Sequence, residues 1–316
     1  MTRRAVFLYN PVSGRGLTAR RGVVEESAEL WRNAGYETEM VATTGPGSAT
    51  EQSAEIVDGG CDVLFACGGD GTVHEVLQAL VATKTLTALA VLPLGTGNVI
   101  ANNLGLPHGT PVAAAIQLQY VPRRIAVGEV TSTFAEGEVD RRYFLAAAGL
   151  GIHAKMIEQA NSSAKNRSGM TAYYRAGFRL VFLEEMCDFA IELTLPDGST
   201  EIHQAHELLA VKVAQFSGIV RRWRPGSSLL DPTLQMALVK TKSRTRVLIG
   251  TVRCMIGGAP KLKGVELVRA VRAVCRPLAS GRRSPIVAEA DGEVVGTLPV
   301  EISVVPEALT LLMPQS

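Results

Sequence analysis

The sequence predicts an α/β N-terminal domain built on a doubly wound, mostly parallel sheet, followed by a mostly antiparallel β C-terminal domain. Three observations carry that reading. Short apolar runs alternate with segments of helical period through the first 124 residues, the pattern of strands joined by crossover helices. Three of these runs open into loops of glycine and small polar residues: NPVSGRG from Asn10, CGGDGT from Cys67 and LPLGTGN from Leu92. After Arg123 the texture changes to strands alternating with turns, as in an antiparallel meander. The expected boundaries are 1–124 for the first domain, rejoined by 306–316, and 125–305 for the second.

The first strand is Ala5 to Tyr9, closed by the turn residues Asn10 to Gly16. A helix follows from about Thr18 to Asn33, with Val23, Val24, Leu30 and Trp31 on its apolar side and Gly35 as its stop. Glu37 to Thr43 reads as strand. Ser48 and Glu51 have the spacing of a capping box for a helix that ends near Gly59-Gly60. Asp62 to Cys67 is a strand buried on both faces, and Val73, Val76, Leu77, Leu80 and Val81 form one face of the helix behind it. Between them Gly68, Gly69 and Gly71 lack a Cβ, so the backbone can approach a ligand closely. The unpaired N–H groups and dipole of the helix start then suit an anion such as a phosphate. Taken alone, GGDG equally describes a tight turn that binds nothing. Ala88 to Pro93 forms another buried strand that opens into LPLGTGNVIANNLGLP, and Pro111 starts a helix to about Gln119. Ligands of open parallel sheets lie at the carboxyl ends of the strands, so the three loops should converge.

In the second domain, Ile125 to Thr131, Arg142 to Ala148, Phe189 to Leu195 and Glu201 to Phe216 read as strands, with a turn at Pro196 to Ser199. Gly169 to Glu184 reads as a helix packed on that sheet. Ser243 to Ile256 is an amphipathic basic segment, suited to a bilayer surface or to a core-facing helix with a solvated edge. Asp291-Gly292 is turn-like between two strand-like runs.

Composition removes several classes. At 316 residues the chain can bury a large core, and its apolar content of 47% argues against disorder. No long uninterrupted apolar window and no signal-like start appear, so a soluble, cytoplasmic protein is expected. Five cysteines without a CxxC pair indicate neither a disulfide framework nor a zinc site. The net charge of +2 conceals an uneven distribution: 9 Lys/Arg against 11 Asp/Glu up to Ile125, but 16 against 3 from Ala205 to Arg283. That basic half fits an anionic partner such as lipid headgroups, or a solvated face whose charges pair internally.

NPVSGRG, CGGDGTVHEVLQAL and LPLGTGNVIANNLGLP, followed by YFLAAAGLGIHAKMI and EADGEVVG, resemble the diacylglycerol kinase catalytic-domain family in order and spacing. The chain looks like its soluble bacterial lipid kinases, relatives of sphingosine and ceramide kinases. The resemblance implies a two-domain architecture like that of NAD kinases and a lipid hydroxyl phosphorylated by ATP in the cleft between the domains. It puts Asn10, Pro11, Ser13, Gly14, Thr43, Gly68, Gly69, Asp70, Gly71, Thr72, Glu75, Gly95, Thr96 and Asn98 around the nucleotide. Asp70 would hold its loop or meet phosphate-bound Mg²⁺, while Asp291 and Glu293 would take the proton from the lipid hydroxyl. The lipid would be met peripherally at a membrane surface through the basic second domain. Nucleic acid is not expected as a partner, and edge strands allow for a homodimer.

The chain departs from the family pattern at several positions. His74 stands where many members have Asn, Val99 where many have Asp, and His153 where Asp is common. Ala126 replaces a usual Asp, and Leu230 one of a usual acidic pair. In bacterial relatives those two acids belong to a network around a bound Mg²⁺, so their joint loss implies a metal site rebuilt or absent. Asp231, with oxygens near Ser228 and Thr233, is what remains as a candidate ligand set. A nucleotide-binding regulatory protein without chemistry, or a small-molecule kinase of the NAD kinase kind, are the alternative functions.

Overall fold

The structure is a computed structural model, which describes residues 3–11, 17–133, 139–163, 186–216, 227–245, 263–278 and 285–315. The chain divides into two compact units, the first holding 1–127, 215–218 and 306–316, the second 128–214 and 219–305.

In the first unit β1 (Arg3–Tyr9), α1 (Leu17–Asn33), β2 (Tyr36–Ala42), α2 (Ser48–Asp58), β3 (Val63–Gly68), α3 (Asp70–Ala82) and β4 (Ala88–Pro93) alternate, followed by α4 (Val99–Asn103) and α5 (Val112–Gln117). The strands lie in the order β2-β1-β3-β4 with every pairing parallel. Because β1 is followed by β2 on one side and β3 lies on its other side, the winding reverses between β1 and β3. β3 and β4 are buried along their whole length, as their uninterrupted apolar runs require. Phe7 stacks on Phe65 at a ring separation of 4.3 Å, and Trp31 meets Phe65 edge-on while donating its Nε1–H to the Ala114 carbonyl at 2.9 Å. The end of the chain returns to this sheet, Thr310 and Leu311 pairing parallel with Ala88 and Leu89.

The second unit is an antiparallel β structure. β5 (Val121–Thr133) begins in the first unit and pairs with β6 (Val139–Phe144), and β7 (Ala147–Leu150), α6 (Ile152–Ser163), β8 (Phe189–Thr194), β9 (Thr200–Ala205), β10 (Glu207–Val211) and β11 (Leu234–Val239) follow. The remaining strands are β12 (Val265–Ala270), β13 (Arg272–Pro277), β14 (Val287–Ala290), β15 (Glu293–Thr297) and β16 (Val300–Met313). One sheet holds β9-β8-β13 and the start of β16; the other runs β12-β11-β10-β7-β14-β15. Phe144, Phe189, Ile191, Leu208, Met236, Val295 and Ile302 belong to the apolar core drawn from both sheets.

Several expectations need correction. The run Arg142 to Ala148 is two strands, because the chain turns a corner at Leu145-Ala146 and passes from one sheet to the other. Glu201 to Phe216 breaks at His206 for the same reason, β9 and β10 lying in different sheets. The capping box at Ser48 does not form: Gly47, at φ 82°, is the N-cap and no side-chain bond is made from it. Ser48 Oγ instead accepts the N–H groups of Thr44 and Gly45, at 3.0 and 3.1 Å. His74, which the sequence leaves open between a phosphate or ribose contact and a solvated helix position, is buried at 5% exposure. The helix expected over Gly169 to Glu184 and most of the basic segment to Ile256 lie outside the described residues.

Candidate functional site

A pocket of about 540 Å³ opens at the carboxyl ends of β1, β2 and β3. Asn10 and Pro11 after β1, Thr43 to Pro46 after β2, Ala49 of α2, and Gly69, Gly71, Thr72 and Glu75 around the start of α3 line it. This is where the sheet reverses its winding, the place at which an open α/β sheet leaves a crevice. Backbone bonds join the loops: the Asn10 N–H donates to the Cys67 carbonyl at 3.1 Å and the Thr43 N–H to the Tyr9 carbonyl at 2.9 Å. The N-cap of α3 is the extended Gly69, which has no side chain to cap the helix. The first turn of that helix faces the pocket through Gly71 and Thr72, and an added Cβ on Gly71 would meet nothing within 4 Å.

The other expected nucleotide residues build the wall rather than line the pocket. The Asp70 carboxylate accepts the Val99 N–H at 2.6 Å, so it holds the start of α4. Asn98, in the left-handed region at φ 51°, accepts the Gly95 N–H and donates to the Gly95 carbonyl, at 3.1 and 2.8 Å. The Leu94 and Gly95 N–H groups both donate to the Gly68 carbonyl. A Cβ on Gly95 would stand 2.4 Å from the Gly69 Cα and one on Gly68 2.3 Å from Thr72 Oγ1, so both glycines are needed for close packing. Thr96 is exposed and does not line the pocket. Glu75 lines it while spending its carboxylate on α2, accepting the Gly47 and Ala49 N–H groups at 3.1 and 3.0 Å. Ser13 and Gly14 lie outside the described residues. Thr44, Gly45, Pro46 and Ala49 were missed, although TTGPGS after an apolar strand obeys the same rule as the three recognised loops.

In the second unit Asp291 and Gly292 are the two central residues of the β14–β15 hairpin, both at positive φ, 48° and 92°. That is the type I′ geometry. The Asp291 carboxylate accepts three backbone N–H groups at the β6–β7 corner, Leu145 at 2.8 Å, Ala146 at 2.8 Å and Ala147 at 3.0 Å. A carboxylate offers about four lone-pair positions, so most of its accepting capacity is committed to fixing this corner. Glu293 is exposed. Beneath the hairpin, Glu289 is 1% exposed, accepts the Gly292 N–H at 3.0 Å and stands 3.4 Å from His153 Nδ1. Burial pushes the His153 pKa down, but the Glu289 carboxylate 3.4 Å away, with the charge of Glu207, outweighs it and leaves the pKa raised. Burial pushes the Glu207 carboxyl up.

The candidate ligand set around Asp231 is occupied by other partners. Asp231 Oδ1 accepts the Thr233 N–H and hydroxyl at 3.0 and 2.6 Å, and Oδ2 lies 3.6 Å from Arg269. The Lys212 ammonium donates to the carbonyls of Ser228, Leu229 and Asp231. Burial pushes the Lys212 pKa down to about 8 against the pull of Asp231. Leu230 is 50% exposed and Ala126 is buried in β5. Among the described residues no group of three or more His, Cys, Asp or Glu is placed to hold a metal. The described part of the basic stretch is largely paired within the second unit: Lys240 with Glu266, Lys242 with Asp188, Arg272 with Glu301 and Arg276 with Glu192. Among the described residues no helix is long and apolar enough to cross a membrane.

Comparison with known proteins finds relatives over most of the chain. Residues 4–130 match the family described as diacylglycerol kinase catalytic domain, and 146–313 the YegS C-terminal NAD kinase beta sandwich-like domain. A diacylglycerol kinase of Bacillus subtilis (strain 168) is 30% identical over 240 residues, covering 75% of this chain and 74% of that protein. One from Staphylococcus saprophyticus is 32% identical over 209 residues, 66% of this chain and 63% of that protein. A crystal structure of a diacylglycerol kinase from Bacillus anthracis (strain Sterne) superposes with a TM-score of 0.72 at 20% identity, over 99% of this chain and 97% of the other. Yeast NADH kinase complexed with NADH has a TM-score of 0.53 at 11% identity, over 100% of this chain and 84% of the other. The last two likenesses concern the fold.

Proposed function

The chain belongs to the diacylglycerol kinase catalytic-domain family, and from that premise we propose that it transfers the γ-phosphate of ATP to the hydroxyl of a lipid of the diacylglycerol, sphingoid or ceramide class. The observation that carries this reading is the pocket at the reversal point of the sheet, walled by glycine loops and the first turn of α3 behind its glycine N-cap. Phosphate oxygens are suited to those N–H groups and to the helix dipole. Family membership supports a kinase; the nucleotide, the metal and the lipid belong to this proposal.

In the proposed reaction the lipid oxygen bonds to the γ-phosphorus, the bond from that phosphorus to the bridging oxygen breaks, and ADP leaves with the electron pair. The hydroxyl proton passes to a carboxylate of the Asp291-Gly292-Glu293 hairpin. Asp291, fixed by three backbone amides, positions the acceptor end of the hairpin beside the alcohol, and Glu293 is the further acceptor. Mg²⁺, if bound with the nucleotide, would supply positive charge to the transferring phosphoryl group. The basic second half brings the chain to an anionic membrane surface.

ADP release in the presence of dispersed diacylglycerol, sphingoid base or ceramide tests the proposal, with Asp291→Ala as the control. Turnover on none of these lipids above that control would sink it. ATP binding without any turnover would instead select a regulatory nucleotide-binding protein, a reading favoured by the commitment of the Asp291 carboxylate to backbone amides. Phosphorylation of soluble NAD would select a small-molecule kinase.

A further inference from the structure

We propose that the Lys212 ammonium takes the place of a divalent metal ion at the 228–231 loop, so that this loop is organised by a cation belonging to the chain itself. Lys212 follows β10 directly and is 0% exposed, within a sequence, LLAVKVAQF, that offers it no neighbouring charge. Its Nζ lies 3.5 Å from the Ser228 carbonyl oxygen and 3.3 Å from that of Leu229, and it also donates to the Asp231 carbonyl. An ammonium has three hydrogens, and here three carbonyls receive them. A buried cation without such partners would carry a large desolvation cost.

The same oxygens are those a divalent ion would require. Mg²⁺ demands a near-octahedral shell of oxygens at about 2.1 Å, and Ca²⁺ six to eight at somewhat longer range. With the ammonium present these carbonyls are already used, and a second cation among them would be repelled at close quarters. The Asp231 carboxylate of this loop accepts from Thr233 and lies 3.6 Å from Arg269. Position 230, where a further acid would assist, holds a half-exposed leucine. The ligand set therefore does not fit a metal. It fits the side chain that fills it.

The substitution also joins two parts of the second unit. The Lys212 backbone N–H donates to the Ala146 carbonyl at 2.9 Å, and the Ala146 N–H donates to the Asp291 carboxylate. One residue thus grips the 228–231 loop with its side chain and the Asp291 corner with its main chain.

The test uses the full chain without nucleotide or lipid, so that its result is separate from the kinase reading. After EDTA treatment and gel filtration, elemental analysis is expected to find no stoichiometric divalent metal, and Tm is expected to be the same in EDTA as in millimolar Mg²⁺ or Ca²⁺. Lys212→Met, which takes the ammonium away from three carbonyls and leaves the Ser228 one only its bond from the Asp231 N–H at 3.0 Å, is expected to lower Tm by about 5 °C. A divalent ion retained in stoichiometric amount, a Tm that falls in EDTA and returns with Mg²⁺, or a Lys212→Met variant as stable as the wild type would each overturn the proposal. Should that variant fail to fold, the wild-type metal content and EDTA response decide.

Discussion

Gly71 separates what the fold needs from what the pocket needs. It lies in the first turn of α3 without a positive φ, and its missing Cβ would project into the pocket without touching protein. Alanine is the better helix former by about 1 kcal/mol, so Gly71→Ala should leave Tm unchanged or raised. The added methyl narrows the space offered to phosphate, and ATP affinity is expected to fall by about tenfold or more, near 1.4 kcal/mol. Calorimetric titration beside a thermal melt reads both effects, and unchanged ATP binding would refute the placement of the nucleotide. Gly95→Ala is the opposite case: its Cβ would meet the Gly69 backbone, and overpacking of that kind costs about 1–3 kcal/mol of stability. His153 makes a prediction in pH. Its folded pKa is raised above the 6.5 of the free side chain, so its contribution to stability is full below that value and is lost as pH rises through the folded one. The Tm advantage of the wild type over His153→Gln should therefore shrink as pH rises above the 6.5 of the free side chain. A constant or growing difference would contradict the pairing with Glu289.

At the scale of elements, the start of α2 depends on a carboxylate from another helix. Glu75 of α3 accepts the Gly47 and Ala49 N–H groups, and the Thr50 hydroxyl donates to the Glu75 carbonyl at 3.0 Å. Loss of such a cap costs about 0.5–2 kcal/mol, so Glu75→Ala should lower Tm by several degrees, and Glu75→Gln, which keeps an acceptor, by less. A Glu75→Ala melt equal to that of the wild type would disprove the capping role. The capping-box pattern of Ser48 and Glu51 was visible in sequence because it is local. The true cap is not, because Glu75 lies 28 residues from Gly47. The same distinction explains the strands. β3 and β4 were legible since burial on both faces demands unbroken apolar runs bounded by glycine or proline. The corners at Leu145-Ala146 and His206 were not, because apolar character continues through a strand that changes sheets. In the pocket, Asn10, Pro11, Thr43, Gly69, Gly71, Thr72 and Glu75 were found through their motifs. Lys212 carried only the weak signal of one lysine in an apolar run, and its meaning rests on carbonyls 16 to 19 positions away.

For the whole molecule the question is which charges remain for a membrane. The chain is nearly neutral, yet 205–283 carries 16 basic against 3 acidic residues. Much of the described part of that excess is spent inside the protein: Lys212 on carbonyls, and Lys240, Lys242, Arg272 and Arg276 on carboxylates. Ion pairs of this exposed kind contribute little to stability, about 0–1 kcal/mol each, but they cancel charge that would otherwise face a bilayer. The proposed attraction to anionic lipid would then draw on other basic residues, and Arg221, Arg222 and Arg224 are clustered in sequence. Each basic residue near a charged surface adds about 1 kcal/mol, so replacing all three by Ser should weaken binding to phosphatidylglycerol vesicles by about a hundredfold. Raising salt should weaken wild-type binding in the same direction, since the attraction decays within a Debye length. Arg272→Ser with Arg276→Ser, which removes cations already paired with Glu301 and Glu192, should change it little. Co-sedimentation with vesicles distinguishes the cases. Equal losses from both sets of substitutions would mean that net charge alone drives association, whereas binding indifferent to salt and to all five changes would remove electrostatics from the proposed membrane encounter.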